Sequence, residues 1–449
     1  MTYKEIVTYI EEIPRFTRKH SLDHTREMLL FLGNPQNGKK IIHVAGTNGK
    51  GSVCAYLDAM LRAEGKSTGL FTSPHLVKMN ERIVLNGKQI SDEDFCEVFE
   101  ETMQAVRRMQ DAGLEHPTFF EFLFAMAMKA YDRAGMEYIV LETGLGGRLD
   151  ATSSVEPVAC VITSIGLDHM EYLGDTVEQI AGEKAGIIRP EVPVFFAQTA
   201  PGSDSVIEKT AEKEGCFCKK IGKDAYEILG IEDKHIAFSC TNAYYGTTTW
   251  KLNNIGTYQP GNALLAMEVM RYLFKENGHP QEWRIALARV KWAGRMEEIL
   301  PKVYVDGAHN VSAIQAFVRS VPKNPDGNII LFSAVKDKEY FAETTRKIVE
   351  TRDWAEEEFK KLGFVFPKPS ANFIFVSHPE YDATDAHILG ELFRKYTEQP
   401  VTVIESVKEA MQYVLRIQGR RTVYCLGSLY LTGMIKEIIQ ESLSGCGEV

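Results

Sequence analysis

Lys40-Ile41-Ile42-His43-Val44-Ala45-Gly46-Thr47-Asn48-Gly49-Lys50-Gly51-Ser52 reads as a buried strand that runs into a glycine-rich turn and then a helix. A turn of this kind binds phosphate. Glycines let backbone N–H groups approach the oxygens, the helix N-terminus adds partial positive charge, Lys50 adds a full one and Ser52 offers an oxygen to Mg²⁺. The spacing departs from the usual P-loop, because Val44 stands where its first glycine belongs and Gly51 separates Lys50 from Ser52. The plainer alternative, an ordinary flexible turn, is disfavoured by the strand and helix on either side.

Outward from this turn, short runs rich in Val, Ile and Phe alternate with helix-like segments, the pattern of a parallel sheet buried on both faces. Strands are expected at Lys40–Val44, Thr68–Phe71, Tyr138–Leu141, Val158–Ile165 and Pro193–Ala197, with helices such as Val53–Glu64 and Phe119–Ala134 between them. From about Gly215 to Ile255 the chain turns to short polar pieces, including Tyr244-Tyr245-Gly246-Thr247-Thr248-Thr249-Trp250, which predict a small antiparallel appendage. A second alternating series follows at Val303–Asp306, Ile329–Ser333, Phe373–Val376, Val401–Ile404 and Thr422–Leu426. The expected fold is α/β: a P-loop, doubly wound, mostly parallel sheet domain over 1–296 with a small β appendage, then a Rossmann-like α/β domain over 297–449. With no long linker between them, the two domains are expected to face each other across a cleft.

In a doubly wound sheet, ligands collect beyond the carboxyl ends of the strands. There Tyr138–Leu141 leads into Glu142-Thr143-Gly144-Leu145-Gly146-Gly147-Arg148-Leu149-Asp150, and Val158–Ile165 leads into Gly166-Leu167-Asp168-His169. Both bring metal-capable side chains to the rim that carries Ser52. Mg²⁺ takes few protein ligands and several phosphate or water oxygens, so Ser52, Glu142 and His169 form the expected set. Glu142, at the end of an apolar strand, must find water, a cation or donors; a lone His such as His169 is by itself more often a hydrogen-bonded surface residue. In the second domain Val303-Tyr304-Val305-Asp306-Gly307-Ala308-His309-Asn310 again ends a buried strand in polar groups. Arg295, in Trp292-Ala293-Gly294-Arg295-Met296-Glu297, stands at the domain junction, where its fork could clamp a phosphate on closure or form a hinge salt bridge.

Composition narrows the partners. A net charge of −10 argues against broad attraction to nucleic acid, so phosphate binding must be local. No apolar run approaches a bilayer's thickness, and the opening Met1-Thr2-Tyr3-Lys4-Glu5-Ile6-Val7 lacks the apolar core of a secretory signal, so the expected location is the cytoplasm. The cysteines are scattered; Cys216-Phe217-Cys218 lacks the second pair that would make a zinc site, and free thiols are expected. The expectation is a monomer acting on small molecules, without nucleic-acid or membrane partners.

The motifs His43 to Ser52, Thr72-Ser73-Pro74-His75-Leu76, Glu142 to Thr152, Asp168-His169, Glu183-Lys184, Gln259 to Asn262 and Asp306 to Asn310 occur in one order along the chain. In that order they resemble the folylpolyglutamate synthase and dihydrofolate synthase family, within the wider Mur ligase superfamily. The resemblance implies an ATP-dependent acid–amino-acid ligase that adds L-glutamate to a folate or dihydropteroate carboxylate through an acyl phosphate, with Mg²⁺ as cofactor and ATP as co-substrate. It places the phosphate loop on Asn48, Gly49, Lys50 and Gly51, the metal ligands on Ser52, Glu142 and His169, and other nucleotide contacts on Asn262, Arg295 and Asp306. Lys184 matches a lysine carbamylated in the family, whose added carboxylate faces a second metal ion. Thr118, Phe120, Asp150 and Ala151 match pterin-side positions, and His309 and Ser428 resemble residues near the incoming glutamate. Lys50, Lys184, Asp306 and His309 are the expected catalytic residues.

One stretch departs from the family. Thr351 to Val376 looks more like a segment of histidinol-phosphate aminotransferases, but no pyridoxal-lysine motif accompanies it, and one helix followed by one strand is expected there. Two other functions compete. A peptidoglycan-precursor ligase of the same superfamily usually carries a nucleotide-sugar-binding domain ahead of its P-loop, whereas 45 residues precede Gly46 here. A nucleotide-binding switch without ligase activity would bind ATP yet release no phosphate.

Overall fold

Five of the six residues of Lys40–Ala45 (β1) are buried, and its neighbours are as apolar, because this sheet is covered by helices on both faces. The computed structural model describes residues 1–14, 20–232, 234–246, 248–321, 324, 326–334, 371–377, 384–394 and 400–444. The chain divides into two units, Met1–Asn253 with Gln259–Val290, and Asn254–Tyr258 with Lys291–Val449.

In the first unit β1 is joined by β2 (Thr68–Phe71), β3 (Ile83–Leu85), β4 (Lys88–Gln89), β5 (Tyr138–Glu142), β6 (Ala159–Ile162), β7 (Val194–Ala197) and β8 (Cys218–Ile221) in the order β4-β3-β2-β5-β1-β6-β7-β8. The pairs from β2 to β8 are parallel, and the β3–β4 hairpin adds an antiparallel edge. Side chains alternate across the pleat. Ile41 and Ala45, with Ile139, Leu141, Cys160 and Ile162, join cores built with the helices Phe119–Arg133 and Val177–Ala185. On the opposite side the helix Lys50–Ala63, buried from Gly51 to Leu61, packs against the helices Gln259–Phe274 and Pro280–Leu287.

The appendage is smaller than its sequence suggests. Cys218–Ile221 is not antiparallel; it pairs in parallel with β7 as the edge of the main sheet. Ala243–Tyr245 is a 3-10 turn, and only Trp250–Leu252 (β11) joins β9 (Tyr226–Glu232) and β10 (His235–Cys240) in an antiparallel sheet. Buried Tyr245 packs its ring on Trp250 instead of continuing a strand.

The second unit holds β12 (Glu297–Leu300), β13 (Val303–Asp306), β14 (Asn328–Phe332), β15 (Ala371–Phe375), β16 (Val401–Val403) and β17 (Thr422–Leu426), in the order β12-β13-β17-β14-β15-β16. All pairs are parallel except the β12–β13 hairpin. Val303, Val305, Ile329, Leu331, Val423 and Cys425 face one core, and Phe332, Tyr424 and Leu426 the other, as expected of a Rossmann-like layer. Of the stretch that resembles aminotransferases, residues 351–370 lie outside the described residues; its end forms β15, an ordinary parallel strand. No described helix is long and apolar enough to cross a membrane, and the seven described cysteines are free thiols.

Candidate active site

The turn after β1 is shaped by close approach. Gly46 has φ +147°, and a Cβ there would lie 1.8 Å from Thr163 Oγ1. Gly49, at φ +90°, would place a Cβ 2.6 Å from Asn262 Oδ1. Neither position admits a side chain without strain. The turn is pinned to the loop after β6, the adjacent strand: Thr47 N–H donates to the Ser164 carbonyl at 2.8 Å, Thr47 Oγ1 to the Gly166 carbonyl at 3.1 Å, and Ser164 Oγ to the Asn48 carbonyl at 3.1 Å. Gly49 precedes the helix Lys50–Ala63, so the exposed N–H groups of its first turn gather beside this loop.

Two ammonium groups converge on it. Lys50 Nζ donates to the carbonyls of Gly46 at 3.2 Å and Thr47 at 3.4 Å, and Lys184 Nζ donates to the same Gly46 carbonyl at 2.8 Å. Lys184 is buried at the end of helix Val177–Ala185. Burial, reinforced by the like charge of Lys50 and opposed by Asp168 and Asp150, lowers its pKa from 10.5 to about 7.

Ser52 and Glu142 stand at the ends of adjacent parallel elements: Glu142 pairs with Val44 in register, and Ser52 lies in the first turn after β1. Both are buried. Ser52 Oγ accepts from Gln259 Nε2 at 3.2 Å, and Gln259 Oε1 accepts from Asn262 Nδ2 and from Tyr56, each at 3.2 Å. Gln259 therefore ties the expected metal residue Ser52 to the expected nucleotide residue Asn262. A Glu142 oxygen accepts from the Ser73 backbone N–H at 3.0 Å. His169 follows β6, the strand on the other side of β1, with φ +48°; its side chain is half exposed and its Nε2 lies 3.9 Å from Asp168 Oδ1.

Of the residues expected on the pterin side, the structure brings Phe120 and Asp150 to one loop. The Phe120 ring packs on Gly144 and lies 5.5 Å from the Phe71 ring. Asp150 is buried and accepts from the N–H groups of Gly144 at 2.9 Å, Leu145 at 3.0 Å and Thr152 at 3.1 Å, and from Thr152 Oγ1 at 2.5 Å. That carboxylate shapes the loop after β5. Ala151 begins the following 3-10 turn, buried, and Thr118 caps the helix Phe119–Arg133, its N–H donating to Glu121 at 2.8 Å. Behind them buried His43 meets Thr152 Oγ1 at 2.7 Å. Because that hydroxyl gives its proton to Asp150, His43 Nε2 is the donor.

In the second unit Asp306 pairs with Leu426, so His309 and Ser428 follow neighbouring strand ends. Buried Asp306 accepts from Tyr258 Oη at 3.0 Å and the N–H groups of Met296 and Ala308, each at 2.8 Å. Burial raises its pKa, with the Arg295 charge acting against that rise. Arg295 Nη1 donates to the Gly294 carbonyl at 3.0 Å and crowds Gly307. His309 Nδ1 lies 2.6 Å from the Gly307 carbonyl, and Ser428 Oγ accepts from the Tyr430 N–H at 3.1 Å.

Sequence reasoning assigns no role to Gln259, Thr163 or the His43 side chain. Gln259 and Thr163 act across the fold, and only the polar residues directly after β6 signal the second. His43 carries a signal, a polar residue inside an apolar strand.

Residues 44–270 match the Mur ligase middle domain and residues 294–429 the Mur ligase glutamate ligase domain. The dihydrofolate synthase/folylpolyglutamate synthase of Bacillus subtilis is 33% identical over 447 residues, covering 97% of this chain and 98% of that one. A folylpolyglutamate synthase structure from Thermotoga maritima aligns with a TM-score of 0.78 at 28% identity, covering 98% of this chain and 97% of the other. An FPGS solved as a complex with AMPPCP and folate aligns with a TM-score of 0.76 at 26% identity, covering 98% and 100%. Matched over nearly its whole length in sequence and in fold, the chain belongs to the dihydrofolate synthase/folylpolyglutamate synthase family of Mur ligases.

Proposed function

We propose that this chain is an ATP-dependent ligase that joins L-glutamate to the γ-carboxylate of a tetrahydrofolate through an acyl phosphate, and that it also converts dihydropteroate and L-glutamate to dihydrofolate. The observation that carries the reading is the convergence of Lys50 and Lys184 on the Gly46 carbonyl, at the strand-to-helix turn of a chain from this family. A carboxylate is a poor acylating agent. Its oxygen attacks the γ-phosphorus of ATP, ADP leaves, and the resulting acyl phosphate carries a phosphate leaving group. The glutamate amine then adds to the carbonyl carbon, and collapse of the tetrahedral adduct expels phosphate and leaves an amide.

Positioning and charge neutralisation dominate such a transfer. Lys50 would meet the moving phosphoryl group, with the N–H groups around Asn48, Gly49 and Gly51, while Asn262, Arg295 and Asp306 would hold the rest of the nucleotide. Mg²⁺ fits the strand-end donors, since Ser52 and Glu142 offer buried hard oxygens, and His169, in the loop that follows the neighbouring strand β6, would be the third ligand. When bound, the ion supplies Lewis-acid neutralisation of phosphate charge. Lys184, as a carbamate, would add a further carboxylate. Thr118, Phe120, Asp150 and Ala151 would shape the pterin side, and Asp306, His309 and Ser428 would orient or deprotonate the incoming amine. Action as a cytoplasmic monomer belongs to the same reading.

The test offers purified protein MgATP and labelled glutamate with dihydropteroate, a reduced folate or a cell-wall nucleotide in separate reactions. Label incorporation matched by ADP and phosphate with a pteridine acceptor is expected. Turnover with the cell-wall nucleotide alone, or ATP binding without phosphate release under every condition, overturns the reading.

A further inference from the structure

Ser21 caps the helix Leu22–Phe31, so His20 and His24 flank its first turn, and Glu121 stands in the first turn of Phe119–Arg133. The two imidazole rings lie with centroids 3.9 Å apart. Each has its Nε2 engaged by Glu115: His24 Nε2 meets the Glu115 carbonyl at 3.0 Å, and His20 Nε2 meets its carboxylate at 3.0 Å. A carbonyl oxygen only accepts, so His24 Nε2 carries the hydrogen and the neutral ring presents a bare lone pair at Nδ1. That Nδ1 is buried without a hydrogen-bond partner among the described residues, on a side chain that is 10% exposed. It lies 4.0 Å from the Glu121 carboxylate oxygen that His20 Nδ1 approaches at 2.9 Å. One ligand atom from each of the three residues lies within 4.8 Å of the others.

Two Nδ1 atoms and a carboxylate, with both rings anchored at Nε2 by a carboxylate and a carbonyl, make the arrangement by which proteins orient histidines toward a metal. We propose that His20, His24 and Glu121 form a site for a divalent transition-metal ion of the Zn²⁺ class, distinct from the magnesium positions at the strand ends, with a fourth position for water. Tetrahedral coordination at zinc distances sets ligand atoms roughly 3.3 Å apart. His20 and Glu121 must therefore separate slightly and His24 must close in, shifts within side-chain reach. The charges of Glu121 and Glu115 offset the positive pole of the helix that begins at Leu22. The ion acts as a clip, joining chain segments 101 residues apart and bracing the helix start that carries Thr118 and Phe120.

The experiment strips the full chain with chelator, saturates it with Mg²⁺, and titrates Zn²⁺ by calorimetry and Co²⁺ by visible absorption. One tight equivalent is expected, with the intense d–d bands of four-coordinate Co²⁺. His24→Ala and His20→Ala should each weaken binding by at least about tenfold, with circular dichroism and MgATP affinity unchanged. Should either variant misfold, the wild-type Co²⁺ spectrum and stoichiometry still decide. Absence of stoichiometric uptake by the wild type, or uptake unchanged in both folded variants, overturns the site. None of these readouts depends on turnover, so the ligase reading stands or falls separately.

Discussion

Lys184 donates to the backbone carbonyl of Gly46 at 2.8 Å, close to the Lys50 ammonium that holds the same oxygen. Burial and that like charge bring its pKa to about 7, so near neutrality much of the amine is unprotonated. Only the neutral amine adds to CO₂, forming an N–C bond and releasing a proton. Protein equilibrated with ¹³C-bicarbonate should show a carbamate resonance that grows as pH rises through about 7 and is absent from Lys184→Arg. Stability should follow the same group. Its folded pKa lies below the ordinary lysine value of 10.5, so the unfolded chain binds more protons between about pH 7 and that value, and stability rises with pH across the window. Chemical denaturation of wild type and Lys184→Met at pH 7 and pH 9 should show the wild type gaining relative to the variant.

Gly46→Ala should be the most damaging single methyl in the turn. Its Cβ would meet Thr163 Oγ1 at 1.8 Å on a backbone that L side chains rarely adopt, and strain of this kind costs about 1–3 kcal/mol. Gly49→Ala meets the end of the Asn262 side chain, which can turn away. Urea denaturation should therefore rank Gly46→Ala below Gly49→Ala, with ATP affinity reduced in both. Equal, wild-type stability for Gly46→Ala would remove the steric argument.

Acid stability should report on His43. Burial, aided by the Arg189 charge, holds its pKa down to about 3, so the folded protein keeps the ring neutral while the unfolded chain takes up a proton below about pH 6.5. The contribution is fully present above that pH and is lost as pH falls toward 3. His43→Gln should flatten the decline of unfolding free energy between pH 6.5 and 4; parallel curves for the two proteins would mean that the ring is not held neutral.

The apolar runs of β1, β2, β5, β6 and β7 announce themselves because strands buried on both faces have no polar side to interrupt them. The same logic exposes β13, β14, β15 and β17. The edges were hidden for the converse reason. Ile83–Leu85 and Lys88–Gln89 are short and half solvated, although Asn86-Gly87 between them is a hairpin signal, and Cys218–Ile221 pairs on one side only. Within the candidate site, Lys50, Ser52 and Glu142 stand out in the sequence because they lie at strand ends, where ligands of such sheets collect. The contact of Gln259 with Ser52 does not, since it spans 207 residues and depends on how the helix Gln259–Phe274 lies on Lys50–Ala63.

Asp306→Asn tests the second unit with an almost isosteric change. Both carboxylate oxygens accept: Oδ1 from the Ala308 N–H, and Oδ2 from the Met296 N–H and Tyr258 Oη. An amide nitrogen placed at either position faces a backbone donor, leaving a buried N–H unpaired at a cost of about 1–3 kcal/mol. Tyr258→Phe removes one donor to the carboxylate and should cost about 1.5–3 kcal/mol. Because the two groups share one bond, their effects should not add: Tyr258→Phe in the Asp306→Asn background should cost less than it does in wild type. A thermal-denaturation double-mutant cycle measures that coupling, and simple additivity would show that the Tyr258 hydroxyl does not support the Asp306 carboxylate.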